Sequence, residues 1–178
     1  MSGIFGVASA FNQDIVDLDV SIVINMKEMF NNAYVFNKDI SKWDVSKVTD
    51  MSYMFFNAFD FNQPIGNWDV SSVSDMSYML GGPKSVIGNG ITKDMVFNQP
   101  IGDWNTSSAT NMKSMFHQPS GEVGFYANPD FIRLNVDNWD VSNVTDMSSI
   151  FYNVTNFNVD ISGWDVSSVT DMAMMFRE

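Results

Sequence analysis

Residues 36–55 read Phe-Asn-Lys-Asp-Ile-Ser-Lys-Trp-Asp-Val-Ser-Lys-Val-Thr-Asp-Met-Ser-Tyr-Met-Phe, and this pattern decides the fold. Tryptophans in the same context stand at positions 43, 68, 104, 139 and 164, separated by steps of 25, 36, 35 and 25 residues. The two longer steps are one period with an insertion, and Leu18 stands one period before Trp43. The sequence therefore predicts six repeat units of about 25 residues each.

The Phe-Asn pair that opens most units sets their boundaries. A single domain, 1–178, is predicted to hold units at 11–35, 36–60, 61–96, 97–131, 132–156 and 157–178. Insertions at 81–96 and 117–131 contain Gly, Pro and Asn clusters, which predict loops. Because the insertions occupy equivalent places in adjacent units, we expect them to leave the repeats side by side and to carry recognition.

Apolar residues recur in fixed columns, and the cleanest is the methionine eight residues beyond each tryptophan position. Its members are Met26, Met51, Met76, Met112, Met147 and Met172. Methionine clusters serve as soft-metal ligands or as hydrophobic packing. The strict register of this column with phenylalanine, four residues further on in most units, favours a core. One unit cannot bury such a face alone, whereas stacked neighbours cover one another.

The predicted fold class is a repeat solenoid, a right-handed coil of the leucine-rich-repeat kind. Ile40, Trp43 and Val45 match the Leu-x-x-Leu-x-Leu strand of those repeats. Residues 49–55 space their apolar side chains by three and four, which favours a short helical or 3-10 turn opened by Asp50. Each unit is thus expected to supply one short parallel strand and one such turn.

A polar column beside the tryptophans is predicted to point outward. It consists of Asp19, Asp44, Asp69, Asn105, Asp140 and Asp165. Carboxylates at a spacing of about 4.8 Å repel by roughly 1 kcal/mol in water. The column is either a surface for a basic partner or for Ca²⁺, or a solvated face that salt screens and the serines two residues on stabilise. The chain has neither an EF-hand loop nor a glycine-rich calcium repeat, so no metal site or cofactor is predicted.

Two further polar columns have structural interpretations. The residues before the constant methionines are predicted to be helix caps; they are Asn25, Asp50, Asp75, Asn111, Asp146 and Asp171. The asparagines after phenylalanine are predicted to form an internal amide ladder that satisfies backbone groups; they are Asn12, Asn37, Asn62, Asn98 and Asn158.

His117 and Lys84 complete the residues predicted to contact a partner, and both lie in the insertions. His117 is the single histidine of a chain without cysteine, so no pair of such residues is available for catalysis or metal binding. Lys84 follows Gly81-Gly82-Pro83, which lacks the spacing of a phosphate-binding loop. We therefore expect no catalytic residues and no enzyme activity.

The charge of the chain narrows the classes of partner. With 21 acidic and 9 basic residues the formal net charge is -12, which repels phosphate backbones and anionic lipid. No apolar run approaches the length of a membrane-spanning helix, and residues 1–10 lack the basic region of a secretory signal. Nucleic acid binding and membrane insertion are not expected.

Between Phe11 and Phe176 the combination of Trp-Asp-Val-Ser with Asp-Met-x-x-Met-Phe resembles the repeat of a Mycoplasma-type surface-protein family of unknown function. That family is grouped with BspA-like leucine-rich-repeat proteins. The resemblance implies an extracellular, cell-surface or virion-associated binding module, with adhesion as its usual role.

Two functions are predicted. The first is a non-enzymatic protein-binding or adhesion module whose acidic column and insertions contact a protein or glycan partner. The alternative is a structural subunit of a virion, appendage or membrane complex. In that case a neighbouring subunit docks on the C-terminal coil, which ends after Met175 and Phe176 without a polar cap.

Overall fold

The structure, a computed structural model, describes residues 1–82, 85–87, 91–93, 95–118, 134–154 and 157–177. Regular secondary structure in these residues is limited to strands β1, Ser85–Ile87, and β2, Ile91–Lys93, and a 3-10 helix at Val136–Asn138. The strands pair antiparallel with Val86 opposite Thr92. They lie within the first predicted loop insertion, 81–96.

The predicted leucine-rich-repeat-like solenoid, with a parallel strand and a helical turn in each unit, is wrong. Residues 40–46 form no strand and residues 49–55 form no helix. Neighbouring units meet instead at isolated parallel bridges that join the residues before the constant methionines. These bridges are Asn25–Asp50, Asp50–Asp75, Asp75–Asn111, Asn111–Asp146 and Asp146–Asp171. Each unit is therefore a string of tight turns stacked on its neighbour.

Left-handed residues explain why the spacing of three and four does not make a helix. Tyr53 has φ 57°, and it is the third residue of a turn that the Met54 N–H closes on the Met51 carbonyl at 3.1 Å. A left-handed residue cannot continue a right-handed helix. The equivalent positions all have φ between 52° and 60°; they are Glu28, Tyr78, Ser114, Ser149 and Met174.

The turns direct alternate backbone N–H groups toward the next unit. The N–H of Met51 donates to the Asp75 carbonyl at 2.9 Å, and that of Tyr53 donates to Ser77 at 2.8 Å. The same pattern recurs from unit to unit. Hydrogen bonds that a helix would form within itself are thus formed between units.

Local turns also prevent a strand in residues 40–46. The Trp43 N–H donates to the Ile40 carbonyl at 3.1 Å. The Val48 N–H likewise donates to the Val45 carbonyl at 2.8 Å. These bonds fold the backbone within the unit, so its N–H groups do not form a continuous ladder with the neighbour.

The predicted apolar columns form one core. Trp43 and Val45 are buried while Asp44 between them is exposed. Phenylalanine rings stack across the unit boundaries: the Phe30 centroid lies 4.1 Å from that of Phe36, which opens the next unit, and 5.5 Å from that of Phe55, its equivalent in that unit. Buried, stacked rings of this kind contribute more than their area alone provides.

Residues 1–10 add a half unit that the tryptophan spacing does not reveal. The Met1 amino group donates to the Asn25 carbonyl at 2.9 Å, and the Gly3 N–H donates to Lys27 at the same distance. The Phe5 ring stacks on Phe30 with centroids 5.4 Å apart. This segment carries the methionine and phenylalanine columns one period ahead of the first complete unit.

Candidate partner-binding surfaces

The outward column beside the tryptophans is exposed along its whole length. We call its members, Asp19, Asp44, Asp69, Asn105, Asp140 and Asp165, the acidic strip. In five of them Oδ1 accepts two hydrogen bonds from the serine two residues on, one from its N–H at 3.0–3.2 Å and one from its hydroxyl at 2.6–2.7 Å. Asp165 accepts the N–H of Ser167 at 3.0 Å. The column therefore has a fixed side-chain orientation.

Serine also sets the charge state of the acidic strip. The hydroxyl and the N–H of Ser46 favour the ionised carboxylate and lower the pKa of Asp44, although the neighbouring charge of Asp19 raises it. The same serine bonds lower the pKa of the other four carboxyls in the strip. Both donors reach one oxygen, so the second oxygen of each carboxylate is available to a partner.

The column before the constant methionines caps turns, not helices. The Ser52 N–H donates to Asp50 Oδ1 at 2.9 Å. Where an asparagine faces an aspartate of the neighbouring unit, the amide donates a hydrogen bond to the carboxylate. Asn25 Nδ2 donates to Asp50 Oδ2 at 3.1 Å, and Asn111 Nδ2 donates to Asp75 Oδ2 at 3.3 Å. The mixture of Asn and Asp thus replaces part of the like-charge repulsion by hydrogen bonds.

The asparagines after phenylalanine form the predicted ladder, but on the surface instead of the interior. Asn12 Oδ1 accepts the Asn37 N–H at 3.1 Å, and Asn37 Oδ1 accepts the Asn62 N–H at 3.0 Å. Asn12 and Asn37 are exposed. The ladder satisfies backbone groups, so we assign it no role in binding.

His117 is held at the base of the second insertion, whereas Lys84 lies outside the described residues. The His117 ring is half-buried and stacks on Tyr152 with centroids 4.7 Å apart. Burial lowers its pKa, and its buried Nδ1 has no hydrogen-bond partner among the described residues. The Gly82 N–H donates to the His117 carbonyl at 3.0 Å, so the insertions begin next to each other. Most of 117–131 is outside the described residues.

A groove of about 530 Å³ beside His117 was not predicted from the sequence. Aromatic, serine and methionine side chains line it, among them Tyr78, Ser114, His117, Ser149, Tyr152 and Met174. The signal for it is the column two residues after each constant methionine, which changes from tyrosine at 53 and 78 to serine at 114 and 149. Both serines line the groove.

The described parts of the chain contain neither a cluster of metal-binding side chains nor a membrane-spanning helix. Within these residues no group of three or more His, Cys, Asp or Glu side chains could hold a metal ion. The same segments contain no helix long and apolar enough to cross a membrane.

Stacked, turn-built units with an ordered polar face define a repeat protein. The family model for "Mycoplasma protein of unknown function, DUF285" matches residues 1–94 and 122–178. The chain belongs to this family, which confirms the resemblance seen in the repeat sequence. No curated protein and no solved structure gives a significant match.

Proposed function

We propose that this chain is a non-enzymatic binding module whose acidic strip holds a cationic segment of a protein partner, as in adhesion at a cell or virion surface. One observation carries the proposal: six exposed side chains, one from each unit, are held in the same orientation by serine. A contact of this kind needs no catalytic group.

Preorganisation favours binding at the acidic strip. The serine bonds restrict the Asp44 and Asp69 side chains before a partner arrives, so less rotamer entropy is lost on association. The lowered pKa values keep the strip ionised well below neutral pH. A row of ionised carboxylates also raises the association rate of a basic partner.

The charge selects a protein segment as the partner over a charged polysaccharide. A strip with five carboxylates on a chain of net charge -12 repels sulfates, uronates and phosphates. Lysine and arginine side chains supply donors for the second oxygen of each carboxylate. The two insertions, whose bases adjoin at Gly82 and His117, would add contacts that determine which basic protein is held.

Charge-matched variants test this proposal. One variant carries Asp→Asn at Asp44, Asp69, Asp140 and Asp165; the control carries Asp→Asn at the exposed Asp14, Asp17, Asp103 and Asp137. Each removes four charges, so the net charge changes from -12 to -8 in both. Asn105 already makes the serine bonds that an asparagine at these strip positions needs, at 3.2 and 2.7 Å.

The probe is a fluorescent peptide of alternating lysine and serine, titrated at physiological ionic strength. The strip variant should bind about tenfold more weakly than the parent protein and the control within about twofold, because the control keeps every carboxylate that the partner is proposed to contact. Equal loss in both variants would show only general charge attraction, and unchanged binding in the strip variant would exclude the strip as the contact surface.

A specific observation favours one alternative, a structural subunit of a larger assembly. In the last unit Met172 and Phe176 are 41% and 52% exposed, although their equivalents Met51 and Phe55 are fully buried. A neighbouring subunit stacked on this face would bury them. Light scattering after size exclusion tests this: a concentration-dependent oligomer that Phe176→Asp abolishes supports the subunit, and a monomer at all concentrations opposes it.

A further inference from the structure

The unpredicted groove interrupts a ladder of aromatic rings. Tyr53 and Tyr78, at equivalent positions of neighbouring units, stack with centroids 4.5 Å apart and planes 10° apart. The next two members of that column are Ser114 and Ser149, and the third is Met174, which lines the groove beyond them. Tyr78 also lines the groove, and position 114, the next in the column, carries no ring.

The size of the interruption corresponds to one or two rings. Rings at equivalent positions of adjacent units in this protein stack with centroids 4.5–6.2 Å apart, as between Tyr53 and Tyr78 and between Trp104 and Trp139. Two consecutive serines therefore omit two rings from the column, the first at a buried and the second at a partly exposed position, and the groove volume of about 530 Å³ lies in the range of small-ligand sites.

The rim of the groove mixes ring faces with polar groups. His117 and Tyr152 stack on each other along one part of the lining, and Lys113, Ser148 and Asp171 contribute to another. A sugar ring presents an apolar C–H face to an aromatic ring and hydroxyl groups around its edge. Stacked rings beside hydroxyl, amine and carboxylate groups fit both parts of such a ligand.

We propose that the groove between Tyr78 and Met174 binds a neutral saccharide through one or two of its rings. Lys113 lies 4.0 Å from Asp146 Oδ2, so its charge is compensated within the chain. Asp171 also lines the groove, and the net charge of -12 disfavours uronates and phosphates. None of the acidic strip lines this groove, so the proposal goes beyond the proposed function and is independent of it.

The chain itself supplies a variant that fills the groove. Ser149 has φ 58°, close to the 57° of Tyr53 and the 56° of Tyr78, so tyrosine is compatible with this backbone. Ser149→Tyr should place a ring where the saccharide would stack. Glu28→Tyr is the matched control, because Glu28 is in the same column with φ 58° and does not line the groove.

Calorimetric titration with cellotriose, maltotriose, mannotriose and triacetylchitotriose tests the proposal, with trigalacturonic acid as the anionic comparison and N-acetyltyrosinamide as a mimic of a protein side chain. At least one neutral trisaccharide should bind saturably and shift the amide resonances of Ser114 and Ser149. Ser149→Tyr should weaken that binding about tenfold or more by occupying the space, whereas Glu28→Tyr should leave it unchanged.

Other results would overturn the assignment. Absence of binding by all four neutral sugars, or binding that survives Ser149→Tyr, would exclude a saccharide in this groove. Stronger binding of trigalacturonic acid or of N-acetyltyrosinamide would identify an anionic sugar or a protein side chain as the occupant instead. If Ser149→Tyr does not fold, Tyr78→Ser, which removes the stacking face, must weaken binding in its place. The strip variant with four Asp→Asn changes should bind the same sugar normally, which separates this test from that of the proposed function.

Discussion

The indole Nε1 of Trp104 donates a hydrogen bond of 3.0 Å to the carbonyl oxygen of Ile65 in the preceding unit, and both residues are buried. The same bond joins the other units at 3.0–3.2 Å; its pairs are Trp43–Ile15, Trp68–Ile40, Trp139–Ile101 and Trp164–Val136. The tryptophan column therefore links the units by a polar bond as well as by its apolar rings, which explains why tryptophan and not phenylalanine recurs there.

Removal of this indole N–H should destabilise the fold. Replacement of Trp104 by benzothienylalanine, which has sulfur in place of the N–H, leaves the buried Ile65 carbonyl without this donor and should cost about 1–3 kcal/mol. Trp104→Phe should cost more, because it also removes part of a packed ring. Urea unfolding measures both changes. Equal stability of the benzothienyl variant and the parent would mean that the bond contributes nothing.

The left-handed turn residues give a second prediction. Glu28 has φ 58°, which disfavours a residue with a side chain, whereas its neighbour Lys27 is not in this conformation. Glu28→Gly should leave stability unchanged or raise it, because the relief of strain offsets the flexibility that glycine adds to the unfolded chain. Lys27→Gly, the control, should lose about 0.5–1 kcal/mol. A larger loss at position 28 than at position 27 in chemical denaturation would contradict the assignment of the turn.

Sequence periodicity predicted which residues are buried far better than it predicted the backbone. Trp43, Met51 and Phe55 are in the core as their columns indicate. The spacing of three and four between apolar residues has two solutions, however, a helix or successive turns with a left-handed residue, and side-chain patterns alone do not distinguish them. Glycine or asparagine would be typical at left-handed positions. Tyrosine and serine occupy several of them here, so the sequence did not indicate the turns.

The candidate surfaces show the same limit. The exposed Asp44 was predicted from its place beside a buried tryptophan, and its pairing with Ser46 follows from local turn chemistry. The groove depends on Tyr78 and Met174, which are far apart in sequence and come together only when the units stack. The half unit at residues 1–10 was not predicted because it lacks tryptophan. Its contacts with Asn25 and Lys27 identify it in the structure.

Acid should destabilise the protein through the acidic strip. Serine bonds lower the pKa values of Asp44, Asp69 and Asp140 in the folded state, so the folded protein binds fewer protons than the unfolded chain at mildly acidic pH. Their contribution is complete above the ordinary aspartate pKa and is lost as the pH falls below it and through the lowered values. Urea unfolding at stepped pH should show a flat region from neutral pH down to about 5 and a decline below it.

The four Asp→Asn changes in the strip provide the control for this pH dependence. Asparagine keeps the acceptor for serine but does not titrate, so the variant should lose less stability than the parent between neutral pH and pH 3. Parallel pH profiles for the two proteins would mean that other carboxyls cause the decline.

Gly82 lies against Asn57, and this close approach gives the last prediction. A Cβ at position 82 would collide with Asn57 Oδ1 and lie 2.9 Å from its backbone N, while Asn57 Nδ2 donates to Asn32 Oδ1 at 2.8 Å. Because Asn57 is buried, Gly82→Ala must displace it and weaken its bond to Asn32, at a cost of about 1–3 kcal/mol.

Gly163→Ala is the matched control for this prediction, since a Cβ there meets no atom within 4 Å. Its stability should stay within about 0.5 kcal/mol of the parent, and its spectrum should leave the Asn57 side-chain amide resonance in place. Gly82→Ala should move that resonance as well as lower the unfolding midpoint. If both alanines change stability equally and neither moves the amide, glycine at 82 serves only the backbone and the contact with Asn57 does not restrict it.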